Sequence, residues 1–93
     1  MQFLALTRRY TDRFSEADFA AVLPAEAEHA KGLYARGIFR SINSRGDIPG
    51  AVIALEAADA AEAATIVGAL PLAEKKMMEV TIVPMLPYRG FVG

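Results

Sequence analysis

The chain alternates between stretches of two-residue and of 3.6-residue hydrophobic period. It opens on QFLALTR, residues 2–8, a short apolar run that predicts a strand. RYTDR breaks the pattern. Ser15 follows as a candidate N-cap, with Asp18 three residues on in an imperfect capping box. From there to Arg36, Ala, Glu, Leu and Lys dominate and predict helix. Pro24 interrupts it: either the helix kinks there, or a short helix ends and Pro24 begins a second at its first turn. Gly37 is the expected closing residue. IFRSINSR (38–45) and AVIALEA (51–57) predict strands joined by the turn GDIPG (46–50), hence a hairpin. Asp59 is placed to cap a second helix, AAEAATIVGAL, with Glu62 at the capping-box position and Pro71 just past its end. KMMEVTIVPM predicts the last strand, broken at Pro84, and LPYRGFVG has too much Pro and Gly for regular structure.

The order β-α-β-β-α-β predicts an α+β fold, a ferredoxin-like sandwich with both helices on one face of a four-stranded antiparallel sheet. It forms a single domain, 1–93, with 84–93 as an extended tail. Alternation sorts each strand into two faces. Leu4 and Leu6 oppose Phe3, Ala5 and Thr7. Ile53 and Leu55 oppose Val52, Ala54 and Glu56. Met78, Val80 and Ile82 oppose Met77, Glu79, Thr81 and Val83. The aliphatic sets are expected to meet the helices. The mixed sets, which include Glu56 and Glu79, then make a face that is either solvated or covered by a second copy of the same sheet. Ser41, Asn43 and Arg45 are candidates for the same face.

Composition sharpens the second alternative. In a chain of 93 residues, 54% hydrophobic content is high, and the mean hydropathy is +0.27. A domain this small buries a modest share of its surface, so association is the expected source of extra stability. With no cysteine, disulfides and thiolate-bound metals are excluded. Ten Lys and Arg against eleven Asp and Glu argue against nucleic-acid binding. No apolar run is long enough for a membrane span. The opening MQFLALTRRY lacks the marks of a secretory leader, so a cytoplasmic location is expected. No dinucleotide, Walker or zinc-binding spacing is present, and no cofactor or metal is expected.

One position breaks the helical pattern. At about 100° per residue, with Ala30 as reference, Leu23, Ala27, Leu33 and Tyr34 fall within about 60° and define an apolar stripe. Glu26 falls inside it, at about −40°. A carboxylate turned toward a core needs a partner, a proton or water. Three explanations stand: an ion pair with Arg40 or Arg45 on the neighbouring strand; a raised pKa and work as a general acid or base; or a wet edge to the stripe. His29, the only histidine, lies one turn from Glu26 and is either surface or a partner that sets its basicity. Asp47, in RGDIPG, is a turn residue bonded to its own backbone or a site residue. Arg8, Arg9 and Arg13 form a small basic patch near the first loop, either solvated or anion-binding.

LPAEAEHAKGLYARGIFR, RGDIPGAVIALEA, ALPL and the closing VTIVPMLPYRGF together resemble the muconolactone isomerase-like proteins of the dimeric α+β barrel superfamily. Glu26, Arg40, Asp47 and Gly50 fall where such proteins tend to carry the same residues. The resemblance implies a homodimer or higher homo-oligomer packed sheet to sheet, with a small cavity per subunit and cofactor-free proton transfer on a lactone. On that basis the first reading is an enzyme acting on a small organic acid or lactone. Glu26 would be its general base, assisted by His29; Arg40 or Arg45 would hold a carboxylate, Tyr34 would donate to an enolate, and Asp47 would border the ligand. A non-catalytic ligand-binding module and a purely structural oligomer are the alternatives.

Overall fold

The computed structural model describes residues 1–91. In chain order the elements are β1 (Gln2–Arg9), α1 (Glu16–Ala35), β2 (Phe39–Ser44), β3 (Ala51–Glu56), α2 (Ala60–Gly68), α3 (Pro71–Glu74), β4 (Met78–Met85) and a final 3₁₀ turn at Arg89–Phe91. The four strands form one antiparallel sheet in the order β2-β3-β1-β4. This is the ferredoxin-like α+β layout that the element order predicts. The tail begins two residues later than predicted, because β4 continues through Pro84 to Met85, and its last two residues, 92 and 93, lie outside the described residues. No helix of the described residues is long and apolar enough to cross a membrane.

Local chemistry sets the helix ends. Ser15 Oγ accepts from Asp18 N while Asp18 accepts from Ser15 N, a complete capping box. Asp59 accepts from Glu62 N at 2.8 Å, and Glu62 accepts from Ala58 N. Gly37, at φ 75°, ends α1 with paired bonds from Gly37 N to Tyr34 O and from Ile38 N to Leu33 O. Pro24 does not divide α1, which is one helix of 20 residues.

Two expectations fail. The strand does not break at Pro84: Phe3 pairs with Pro84 and Gln2 with Met85. β4 is an edge strand, where a missing N–H costs no ladder partner on the open side. The second concerns β1, where the faces are reversed. Phe3, Ala5 and Thr7 are buried, whereas Leu4 and Leu6 are only half-buried. Register explains it. Phe3 lies opposite Leu55, and Ala5 lies between Ile53 and Ile82, so the odd-numbered set of β1 joins the core-facing sets of its neighbours. Thr7 is the polar member, and its Oγ1 accepts from Ala51 N at 2.9 Å. The most deeply buried large side chains of the core are Phe3, Phe39, Ile53, Leu55, Val67, Leu70 and Leu72, joined by Phe19, Leu33, Met77 and Met78.

The β2–β3 loop is tied to the end of β1. Arg45 donates to Asp47 through Nε at 3.0 Å and through Nη2 at 2.8 Å, and also reaches the Thr7 carbonyl. Arg9 N donates to Pro49 O. Gly50 passes so close to β1 that a Cβ there would collide with the Thr7 carbonyl. Gly50→Ala is therefore expected to destabilise the fold by about 2 kcal/mol or more, read as a lower denaturant midpoint; an unchanged midpoint would show that the loop can shift away.

Candidate functional site

α1 buries Phe19 and Leu33 but leaves much of its apolar stripe uncovered. The stripe residues Ala27 and Ala30 are too small to reach β2, the edge strand beside them. A cleft opens between helix and strand, floored by Ile42, which is 42% exposed. Its outer lobe, about 540 Å³, is lined by Lys31, Tyr34, Arg40 and Ser41 with the shared residues Ala27, Ala30, Ile42 and Asn43. Its inner lobe, about 300 Å³, adds Arg9, Leu23, Glu26, Ser44, Gly50 and Ala51 to the same shared wall. Volumes of this order hold small molecules.

Glu26 is half-buried at the inner lobe. Its Oε1 accepts a 2.9 Å bond from Leu72 N, in the first turn of α3. That turn has no side-chain cap of its own, so Glu26 supplies the acceptor from across the fold. Among the described residues Glu26 pairs with no arginine. Arg45 is committed to Asp47, and Arg40 lies 3.9 Å from Glu56. The ion pair offered as one explanation of the buried carboxylate does not form. Desolvation instead pushes the Glu26 pKa above its ordinary value, opposed by the Leu72 bond and then by the charges of Arg9 and His29. The second oxygen is left for whatever enters the lobe.

The structure brings some of the expected residues together and separates others. Tyr34 and Arg40 line the outer lobe. His29, one turn from Glu26, is exposed and lines neither lobe. Arg45 and Asp47 also line neither: they hold the hairpin loop, and the Arg45 hydrogen bonds pull the Asp47 carboxyl far below the usual range. Two contributors lie outside the expected site residues, although Arg9 belongs to the basic patch read above as solvated or anion-binding. Arg9 reaches the inner lobe because it follows Phe3, Ala5 and Thr7 on the helix-facing side of β1, a parity visible in the sequence once the buried set is known. The Leu72 N–H had no local signal, since the four-residue α3 was not expected.

No protein-family profile matches the chain, and no curated protein matches it in sequence. Solved structures match in fold. Muconolactone isomerase aligns with a TM-score of 0.78 at 14% identity, over 100% of this chain and 96% of that one. A 5-chloro-2-hydroxyhydroquinone dehydrochlorinase from Burkholderia phenoliruptrix, in complex with 2,5-dihydroxybenzoquinone, aligns with a TM-score of 0.67 at 15% identity, over 97% of this chain and 98% of that one. The chain has the muconolactone isomerase-like fold.

A carboxyl whose folded pKa is raised binds its proton more tightly in the folded state, so its contribution to stability falls as pH rises from the ordinary value of 4.5 through the raised one. Glu26→Gln keeps an acceptor for Leu72 N and removes the buried charge. It is expected to melt at or above wild type at neutral pH, with the difference closing in acid. Glu26→Ala strands the Leu72 N–H and is expected to cost about 1 kcal/mol. Melting curves of both variants across pH test this, and a Gln variant that melts below wild type at neutral pH would contradict it.

Proposed function

We propose that the protein is a cofactor-independent enzyme that moves a proton on a small organic acid or lactone, with Glu26 as its general base. The observation that carries this reading is a half-buried carboxylate with a raised pKa, one oxygen fixed by Leu72 N, at the wall of a small cavity. A base of raised pKa takes a proton from carbon more effectively near neutral pH than an ordinary glutamate does. The free oxygen removes a proton from the carbon next to a carbonyl. The C–H electrons move into the conjugated enolate, and the same carboxyl returns the proton at the far end of that system. Atoms and charge balance with no second reactant.

Tyr34 lies two turns from Glu26 along α1, about 12 Å in rise. With Arg40 it borders the outer lobe, away from the reacting carbon. His29 acts from outside, its charge favouring the ionised Glu26. The two fold neighbours support the reading: one is an isomerase of a lactone and the other a dehydrochlorinase of a hydroxylated ring. A cytoplasmic setting is part of the proposal and fits a chain without cysteine.

The Leu72 bond favours a second reading, in which Glu26 only ties α3 to α1. Glu26→Gln separates the two, because it keeps the tie and removes the base. Assayed on muconolactone, related butenolides and hydroxylated quinols, it is expected to lose about 10²-fold or more in kcat while remaining folded. Equal turnover by wild type and variant, or no turnover by wild type on the whole panel, removes the catalytic role.

We also propose a homodimer packed sheet to sheet. The open face carries Leu4, Leu6, Val52, Ala54 and Val83 at its centre. Around them lie Gln2, Arg8, Glu56 and Glu79, with Arg8 and Glu79 paired at 3.3 Å. An apolar centre inside a polar rim is the build of an interface. Light scattering at micromolar concentration is expected to report at least twice the 10.0 kDa chain mass, and Leu6→Glu to halve it. Wild type at the mass of one chain would refute the dimer.

A further inference from the structure

The inner lobe holds a cation that, among the described residues, forms no ion pair, although its charge reaches the Glu26 carboxylate in the same lobe. Arg9 is half-buried there. Among the described residues its guanidinium makes no ion pair, while Arg8 faces the other side of the sheet and pairs with Glu79. The remaining cations of the cleft are differently placed. Arg40 lies near Glu56, and Lys31 is an exposed ammonium at the outer lobe, where its hydration competes with any ligand. The Arg9 guanidinium carbon lies over the Phe19 ring, 5.7 Å from its centre. That contact steadies the side chain, and among the described residues its N–H groups make no hydrogen bond. Its backbone is pinned by the bond to Pro49 O and by pairing with Met78. A steadied fork of unused donors in a partly desolvated cavity matches the two oxygens of a carboxylate.

We propose that Arg9 is the anion-holding residue of the cleft. The ligand it selects is a small carboxylate whose acid group lies against Arg9 while its reactive carbon faces Glu26. At about 30 Å³ per water-sized group, a lobe of about 300 Å³ takes about ten non-hydrogen atoms. The placement serves the chemistry. Arg9 offsets the repulsion between the ligand's carboxylate and that of Glu26, so both charges occupy one lobe. The assignment rests on the cleft being the ligand site, as in the proposed function, and does not require Glu26 to act as a base.

The test is binding, followed by amide and arginine side-chain NMR signals of the isotope-labelled protein. The probes are benzoate, maleate and the carboxylate form of muconolactone, each beside its neutral amide. At least one carboxylate is expected to shift the Leu72 and Gly50 amides and the Arg9 side chain. Arg9→Gln is expected to raise its Kd about tenfold or more. Arg9→Lys recovers part of the loss, and Arg40→Gln changes Kd by about twofold or less. The amides are expected to bind equally to wild type and Arg9→Gln. Glu26→Gln should bind the carboxylate at least as tightly as wild type. An unchanged Kd in Arg9→Gln, a larger loss in Arg40→Gln, or no carboxylate binding in the tens of millimolar overturns the assignment. Full turnover by Glu26→Gln together with lost binding in Arg9→Gln would remove the base and leave the anion site. Lost turnover in Glu26→Gln with unchanged binding in Arg9→Gln would do the reverse.

Discussion

β1 is hydrogen-bonded on both sides, to β3 and to β4, and the parity of those two registers governs the rest of the molecule. A shift of one residue would exchange the two faces of the strand. As paired, Phe3, Ala5 and Thr7 go beneath the helices and Leu4 and Leu6 go outward. Small Ala5, flanked by Ile53 and Ile82, sits at the centre of the sheet. The same parity delivers Arg9 to the inner end of the cleft, and it sends Arg8 to Glu79 on the other face. One register thus sets the core, the apolar centre of the open face and the cation beside Glu26.

The cleft has a second requirement, which is the absence of bulk. Close-packed interiors leave few voids wider than a water, so a cavity between a helix and its sheet needs an explanation in side-chain volume. Here it is Ala27 and Ala30 on the inward stripe of α1, facing an edge strand whose one large apolar residue at the cleft is Ile42. Stability lost at that gap is offset at the ends of α1, where the Ser15 capping box and the Gly37 closure anchor the helix. The hairpin loop is stiffened separately by the Arg45–Asp47 pair.

Glu26 links this void to the core. Its bond to Leu72 N caps a short helix, α3, whose side chain at 72 is itself 1% exposed. The carboxylate is therefore held by the core while its other oxygen meets the cleft. Such an arrangement fixes a titratable group in place without neutralising it, as an arginine partner would. The raised pKa follows from that difference: burial penalises the charge, and one backbone donor repays only part.

Sequence alone determined what local forces control. The order of the four strands and two long helices, the Ser15 and Asp59 caps, the Gly37 closure and the GDIPG turn depend on neighbours within a few residues, and each is where the pattern placed it. Helical spacing also flagged Glu26 as a carboxylate in the wrong place for plain solvation. Tertiary structure decided what depends on distant partners. Alternation defines two sets on β1 but cannot say which is inward; the registers with β3 and β4 do that. α3 begins at Pro71 without a cap of its own, and its acceptor comes from a residue 46 positions earlier. Pro84 continues a strand only because that strand lies at the sheet edge. Arg9 reads only as part of a basic patch, solvated or anion-binding, until the fold turns it under α1. Short-range chemistry is written in adjacent residues, whereas facing and pairing across the sheet exist only after the chain has closed.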